Sequence, residues 1–192
     1  MIEICEVGPR DGLQTEKTIL STEDKITLIE KLIDSGLKKI EVTSFVNAKI
    51  VPQMSDAEQL IEHLPLVEDV IYTGLLLSRS GLERALATKL THYNVVLAVS
   101  NTFNLKNVKK SVEQSLHELT ALIQEAKANN KYVNITLGTA FGCPYEGEIA
   151  LDHLLTVAAR FIETGVDEIT FADTTGLANP LKIEKTIKAY ER

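Results

Sequence analysis

The stretch EVGPRDGLQTE (residues 6–16) decides between the two folds that the rest of the chain allows. An apolar run leads into Gly8 and Pro9, and Arg10 and Asp11 follow directly. A nucleotide-binding doubly wound sheet carries a glycine-rich phosphate loop at its first strand-to-helix turn. Side chains fill this turn instead, which favours a (β/α)8 barrel, where the active site lies at the C-terminal ends of the strands.

Apolar runs alternate with amphipathic stretches along the chain, which indicates a parallel sheet. Ser21 or Thr22 is placed to cap the first helix, and Gly36 to end it. The glycine joint in DSGLKKIEV (34–42) occurs again in ETGVDEITF (163–171). The predicted strands are 2–7, 38–45, 70–76, 92–99, 132–140 and 168–174, and the predicted helices are 22–35, 55–63, 79–89, 107–129, 149–164 and 180–191.

We therefore predict an α/β fold of the TIM-barrel type, in a single catalytic domain over residues 1–192. Six βα units do not close an eight-stranded barrel, which usually takes about 250 residues. Strands 1 and 6 would then be apolar edges of the sheet. We expect either that the chain is truncated at its C-terminus or that partners or further segments cover these edges.

Composition excludes several classes of protein. The chain has 192 residues, 44% of them hydrophobic, and a net charge of −7 without a run of basic residues, which disfavours nucleic-acid binding. No apolar stretch is long enough to span a bilayer, and MIEICEV (1–7) lacks the features of a signal peptide. Cys5 and Cys143 are far apart in sequence. We expect a reduced cytoplasmic protein that binds neither membranes nor nucleic acid.

Polar residues recur at the end of one predicted strand after another, so we expect them to line a single mouth of the barrel. Asp11 suits a hard divalent cation, and Arg10 and the Gln14 amide suit a substrate oxygen. A surface ion pair between Arg10 and Asp11 is the structural alternative. The rim residues are Arg10, Asp11, Glu41, Thr43, Ser44, Thr73, Ser100, Asn101, Thr139, Asp173 and Thr174.

Other candidates also have structural alternatives. Glu41, inside an apolar strand, is costly to bury without a partner and could form an ion pair with a rim arginine. For Asp173 the structural alternative is helix capping, by Asp173 or Thr174. GCPYEG (142–147) specifies a defined turn, in which Cys143 has no neighbour that would make it a nucleophile. The four histidines are away from the rim, so Asp11 has little nitrogen to complete a metal site.

Four motifs occur in an order that resembles the 3-hydroxy-3-methylglutaryl-CoA lyases, a branch of the metal-dependent lyase and Claisen-condensing barrel enzymes. The condensing relatives carry an acidic residue after the RDG triplet, where this chain has Leu13, so the resemblance is to the lyase branch. The motifs are EVGPRDGLQTEK (6–17), IEVTSFVNAKIVPQMSDAEQL (40–60), GCPYEG (142–147) and DTTG (173–176).

The resemblance implies a dimeric enzyme of leucine degradation that cleaves a 3-hydroxy-3-methylglutaryl thioester into acetyl-CoA and acetoacetate with Mg²⁺ or Mn²⁺. It implies that Asp11 is a metal ligand, that Arg10 binds substrate and stabilises the enolate-like oxygen, and that Glu41 holds Arg10 in place. Gln14 and Ser44 would line the substrate pocket, and Asp173 would take part in catalysis through proton transfer.

In this family the remaining ligands, a His-x-His pair and an asparagine, and a lid cysteine come from the seventh and eighth units, beyond Arg192. We therefore expect the 192-residue chain to be inactive by itself. The alternatives are a related acyl-CoA aldolase or condensing enzyme, and a non-catalytic fragment that self-associates through its open strand edges.

Overall fold

The computed structural model describes residues 3–191 and contains six strands in the sheet order β1-β2-β3-β4-β5-β6. The strands are β1 (Cys5–Glu6), β2 (Lys39–Ser44), β3 (Ile71–Leu76), β4 (His92–Ala98), β5 (Tyr132–Gly138) and β6 (Glu168–Phe171). The helices are α1 (Thr22–Asp34), α2 (Ala57–His63), α3 (Arg79–Leu86), α4 (Asn101–Val108), α5 (Val112–Ala128), α6 (Leu151–Ile162) and α7 (Pro180–Tyr190). A π-helical turn (Gly8–Gly12) and a 3₁₀ turn (Pro52–Met54) complete the secondary structure of these residues.

The predicted alternation of strands and helices is confirmed, with two corrections. The helix predicted at 107–129 is present as α5 but begins only at Val112, and the helix α4 that precedes it was not predicted. Ser100 caps α4 by accepting a hydrogen bond from the Phe103 amide at 3.1 Å, and Lys109 ends α4 at φ +61°. The first strand is also shorter than predicted, since Glu6 is its last residue; Ile2 lies outside the described residues.

The chain forms two compact units, which are residues 3–94 with 129–132 and residues 95–128 with 133–191. In the first unit β2 pairs in parallel with both β1 and β3. Lys39, the first residue of β2, is the partner of Cys5 in β1 and of Ile71 in β3. In the second unit β5 and β6 pair in parallel, and their first paired residues are Asn134 and Glu168. Parallel pairing brings the C-terminal ends of the strands within each unit to the same edge.

Each unit buries its own apolar core. Strand β2 is buried from its second residue to its last, the pattern of a parallel strand that is covered on both faces. In the second unit α6 packs its apolar face inward with Leu154, Val157 and Phe161 at most 2% exposed. Within residues 3–191, none of the helices combines the length and apolar content that crossing a membrane requires.

A buried lysine fastens the segment after β2 to α1. Lys25, only 2% exposed, donates from Nζ to the Gln53 carbonyl and to Asp56 Oδ1, both at 2.6 Å. Thr22 donates to the other Asp56 oxygen at 2.7 Å. A buried ammonium is stable only with such partners, so these bonds determine how the segment that follows β2 lies on α1.

We expect Lys25→Met to lower the free energy of unfolding by about 3–5 kcal/mol, because it leaves the Asp56 carboxylate without its cation. Urea denaturation measures the loss. Lys31→Met, at an exposed position of the same helix, is the control and should change stability little. A Lys25 variant as stable as the Lys31 variant would contradict this account of the buried pair.

Candidate active site

The buried Glu41 carboxylate is at the centre of a polar cluster in the first unit. Glu41 is 2% exposed and forms an ion pair with Arg10, whose Nε donates to Glu41 Oε1. Asn94 Nδ2 donates to Glu41 Oε2 at 2.8 Å. Both carboxylate oxygens are therefore hydrogen-bonded, which offsets the cost of burying the charge.

Arg10 reaches Glu41 because the chain coils immediately after β1. The amides of Arg10 and Asp11 both donate to the Val7 carbonyl, at 3.1 and 2.7 Å, and the Leu13 amide donates to the Gly8 carbonyl, the bond that defines the π-helical turn. The Gly8 amide donates to Glu6 Oε1 at 2.6 Å, and a Cβ on Gly8 would lie 2.8 Å from this oxygen. A larger residue at position 8 would displace the Glu6 side chain and disturb its hydrogen bond with this amide.

A β-bulge places Glu41 and Ser44 on the same face of the sheet. The register with β3 shifts between Glu41 and Thr43, so that Glu41 pairs with Thr73 and Ser44 with Leu75. Because Thr73 and Leu75 are two residues apart, their side chains point to the same face, and so do those of their partners. Without the extra residue, Ser44 would lie on the face opposite Glu41.

Two of the predicted site residues carry buried polar atoms that lack partners. Gln14 Oε1 and Ser44 Oγ make no hydrogen bond to any other described residue. An unpaired buried polar atom costs free energy, so native proteins seldom keep one without a water, ion or ligand. Gln14 and Ser44 are therefore chemically suited to receive a polar ligand.

The Arg10 guanidinium also has N–H groups that are not used by its protein partners. Nη1 donates to Asp11 Oδ1 at 2.7 Å, and Nη2 has no partner within residues 3–191. The Arg10 side chain is 12% exposed, whereas Asp11 is 62% exposed. A fixed guanidinium with free N–H groups can bind a substrate oxygen and stabilise negative charge that develops on it.

Asp11 is suited to contribute one oxygen ligand to a divalent cation. Its carboxylate is exposed and shares one oxygen with Arg10, and carboxylate oxygens are the donors that Mg²⁺ and Mn²⁺ prefer. Within residues 3–191, however, no group of three or more His, Cys, Asp or Glu side chains could hold a metal ion. Asp11 fits as a single ligand, and the described residues do not complete the coordination shell.

The segment that leaves Ser44 is held from a second side by Arg84. Arg84 binds Glu58 with two hydrogen bonds of 2.6 and 2.8 Å and donates to the Val46 carbonyl at 3.1 Å. Its guanidinium also lies 5.7 Å from the centre of the Phe45 ring. The hydrogen bond from Arg84 lowers the pKa of Glu58 although burial opposes this shift. These contacts make the C-terminal end of β2 a rigid support for Ser44.

In the second unit Asp173 follows β6 and organises its own turn. Its two carboxylate oxygens accept hydrogen bonds from the Leu177 and Ala178 amides, at 2.9 and 3.1 Å. The predicted alternative, capping of the next helix by Asp173 or Thr174, is wrong, because Asn179 caps α7. Thr174 Oγ1 instead accepts from the Thr139 amide at 2.8 Å, which joins the ends of β5 and β6.

The GCPYEG turn also belongs to the second unit. Cys143 and Gly147 exchange two backbone hydrogen bonds of 2.8 Å, which confirms the defined turn. Cys143 is 1% exposed, and its Sγ lies 2.9 Å from Ser100 Oγ. Burial raises the pKa of Glu146, but hydrogen bonds from Thr102 and its neighbours at the start of α4 outweigh it, and the pKa is lowered.

The structure brings Arg10, Asp11 and Glu41 into one cluster in the first unit, as the sequence predicts, and leaves Gln14 and Ser44 as unpaired buried groups. Asn94, the second partner of Glu41, was missed. Its signal is a polar residue within the apolar run HYNVVLAV (92–99), in the middle of a strand rather than at its end.

Comparison with known proteins identifies relatives over the whole chain. A family model described as HMGL-like matches residues 1–192. The hydroxymethylglutaryl-CoA lyase of Bacillus subtilis is 38% identical over 188 residues, which cover 98% of this chain and 63% of that protein. The chain therefore spans less than two thirds of this relative.

Solved structures agree with the sequence comparison. The HMG-CoA lyase of Bacillus subtilis superposes with a TM-score of 0.93 at 38% identity, covering 98% of this chain and 63% of that one. The HMG-CoA lyase of Acinetobacter baumannii, in complex with coenzyme A and 3-methylmalate, superposes with a TM-score of 0.92 at 35% identity, covering 98% and 62%. The predicted TIM-barrel type of fold is thereby confirmed for the first six βα units.

We expect Glu41→Gln to lower the free energy of unfolding by about 1–3 kcal/mol, because the Nε–H of the largely buried Arg10 then loses its charged acceptor. Urea denaturation measures this, and faster solvent exchange of the Arg10 Nε–H by NMR should accompany it. Glu113→Gln, at an exposed pair with Arg160, is the control and should have a smaller effect since water screens that pair. Unchanged exchange at Arg10 would contradict the proposed restraint.

Proposed function

The chain belongs to the HMGL-like family, and we propose that its protein cleaves 3-hydroxy-3-methylglutaryl-CoA into acetyl-CoA and acetoacetate. The observation that carries this proposal is the Arg10 guanidinium, held by the buried Glu41 carboxylate with N–H groups left available. Cleavage of this carbon–carbon bond produces negative charge on the thioester oxygen. A positioned cationic donor is the group that this step needs most.

The contacts of Arg10 suit it to meet charge as it develops. Glu41 and Asp11 each take one N–H of Arg10, and they fix the plane of the guanidinium before substrate binds. A preorganised donor requires no rearrangement at the moment of reaction. In our proposal the unshared N–H groups of Arg10 donate to the oxygen of the departing acetyl thioester.

On the other side of the bond that breaks, the tertiary hydroxyl of the substrate must lose its proton. A divalent ion, Mg²⁺ or Mn²⁺, when bound, makes this hydroxyl more acidic and holds the substrate oxygens. We propose Asp11 as one ligand of that ion, supported by its exposed carboxylate beside Arg10. We propose Asp173 for proton transfer, supported by the family resemblance of the DTTG motif.

Gln14 and Ser44 are the proposed substrate-binding groups. The support is their unpaired buried oxygens within the described chain, and the bulge that turns Ser44 to the face of Glu41. The hydroxyl can donate to a substrate oxygen, and the amide can accept from a substrate O–H or N–H. Both would fix the orientation of the acyl group rather than take part in bond cleavage.

The wider properties of the protein are also proposals. We propose an acyl-CoA substrate, supported by the relative from Acinetobacter baumannii that was solved with coenzyme A. A homodimer, a cytoplasmic location and a place in leucine degradation follow the family resemblance. Absence of membrane and nucleic-acid binding is supported by the acidic net charge of −7.

The test is acetoacetate release from 3-hydroxy-3-methylglutaryl-CoA in the presence of Mg²⁺ or Mn²⁺. Two proteins are compared, the 192-residue chain and the same chain extended by the C-terminal residues of its Bacillus subtilis relative. We expect metal-dependent release from the extended protein, and none when the hydroxyl of the substrate is absent. No release from either protein, or a clear preference for condensing an acyl thioester, would refute the proposal.

In the active protein we expect Arg10→Met to lower kcat by about 10²–10³ or more, because it removes a positioned oxyanion donor. Asp11→Ala should abolish the metal-dependent activity with little loss of fold, since the side chain is 62% exposed. Steady-state kinetics and circular dichroism measure the two effects. Arg160→Met, on the exposed face of α6, is the control, and a kcat within about threefold of the parent in either site variant would refute its role.

A further inference from the structure

A cavity lies in the second unit, between the start of α6 and the face of α7. It has a volume of about 370 Å³, and none of the residues proposed above for catalysis lines it. Much of its wall is apolar and comes from the end of β5 and the start of α6. Its apolar lining residues are Ala140, Phe141, Ile149, Ala150, Leu151 and Leu154.

The N-terminus of α6 opens into this cavity without a side-chain cap. Ala150 is the N-cap residue, in an extended conformation with φ −62° and ψ 130°, and it offers no side-chain acceptor. The Leu154 amide makes the first helical hydrogen bond, to the Ala150 carbonyl at 3.1 Å. The preceding amides of the first turn therefore lack an acceptor within residues 3–191, and they carry the positive end of the helix dipole.

Two lysines of α7 line the same cavity. Lys182 and Lys185 are three residues apart, so they lie on the same face of the helix. Lys182 Nζ donates to the Phe141 carbonyl at 3.3 Å, and neither lysine forms an ion pair within the described chain. Glu148 also lines the cavity and contributes one negative charge, so the balance of side-chain charges is positive.

An unpaired hydroxyl in the cavity wall provides evidence for a ligand that is independent of the helix N-terminus. Thr186 is 5% exposed and lines the cavity one residue after Lys185. Its hydroxyl makes no hydrogen bond to any of residues 3–191, although a buried threonine in a helix can donate to the carbonyl four residues earlier. The residue is buried, but its hydroxyl is open to the cavity, so it is available to donate a hydrogen bond to a ligand bound there.

We propose that this cavity binds a small organic anion. Its oxyanion head, a carboxylate or a phosphate, accepts hydrogen bonds from the first-turn amides of α6, from Lys182 and Lys185 and from the Thr186 hydroxyl. Its short apolar body lies against Phe141 and Leu154. None of the residues proposed for the lyase reaction lines this cavity, and the test of binding does not depend on lyase activity.

The chemistry of the site favours an organic anion over a free inorganic ion. Amides at a helix N-terminus and lysine side chains are ordinary ligands of phosphate and carboxylate groups. Inorganic phosphate has no apolar group to bury against the apolar wall. Each methylene of an organic anion that is buried there contributes about 0.8 kcal/mol to the binding free energy. The volume accommodates a head group with a chain of several carbon atoms.

The test is isothermal titration calorimetry of the chain with pentyl phosphate, pentanoate, inorganic phosphate and 1-pentanol. We expect saturable binding of at least one of the two organic anions. Inorganic phosphate and 1-pentanol should bind at least about tenfold more weakly, because each lacks one half of the ligand. The two organic anions show whether the preferred head is a phosphate or a carboxylate.

Substitutions in α7 test whether the cavity is the binding site. Lys185→Met and Thr186→Val should each weaken binding, the former by about tenfold, because it removes a charge-assisted hydrogen bond. Lys188→Met is the matched control, since Lys188 is an exposed lysine of the same helix outside the cavity, and it should bind normally. Absence of saturable binding, equal binding of pentanol, or equal weakening by Lys188→Met would overturn the proposal.

Discussion

The burial of the Glu41 carboxylate is the constraint on which the first unit depends. A charge that is 2% exposed must be paired, and Arg10 and Asn94 supply the partners from different parts of the chain. The same pairing immobilises the guanidinium of Arg10. The structural requirement of the buried acid and the functional requirement of a fixed cation are therefore met by one contact.

The surroundings of this pair are rigid for separate reasons. The π-helical turn brings Arg10 back towards β2, and the bulge in β2 turns Ser44 to the face of Glu41. Lys25 and Arg84 hold the segment that follows Ser44 from two sides. A site that must meet developing charge benefits from such restraint, because donors that are already oriented need not reorganise during the reaction.

The second unit uses a different kind of organisation at the ends of its strands. Thr174 joins the ends of β5 and β6, and Asp173 accepts two backbone amides of its own turn. Cys143, in the GCPYEG turn, is buried and packs against the Ser100 hydroxyl, which is typical of a structural thiol. The cavity between α6 and α7 contrasts with these saturated networks, since the Thr186 hydroxyl has no acceptor or donor within residues 3–191 and the start of α6 has no side-chain cap.

The sequence by itself determined the order of strands and helices, because apolar periodicity and glycine joints are local signals that need no tertiary contact. It also placed Arg10, Asp11 and Glu41 among the candidates, through their positions at strand ends and within a buried strand. Three features became visible only in the folded structure: the separate helix α4 that ends at Lys109, the choice of Asn94 as partner, and the bulge that reorients Ser44. These features depend on which side chains meet across strands, and the energy of a buried charge or a shifted register is settled only when its distant partners are in place.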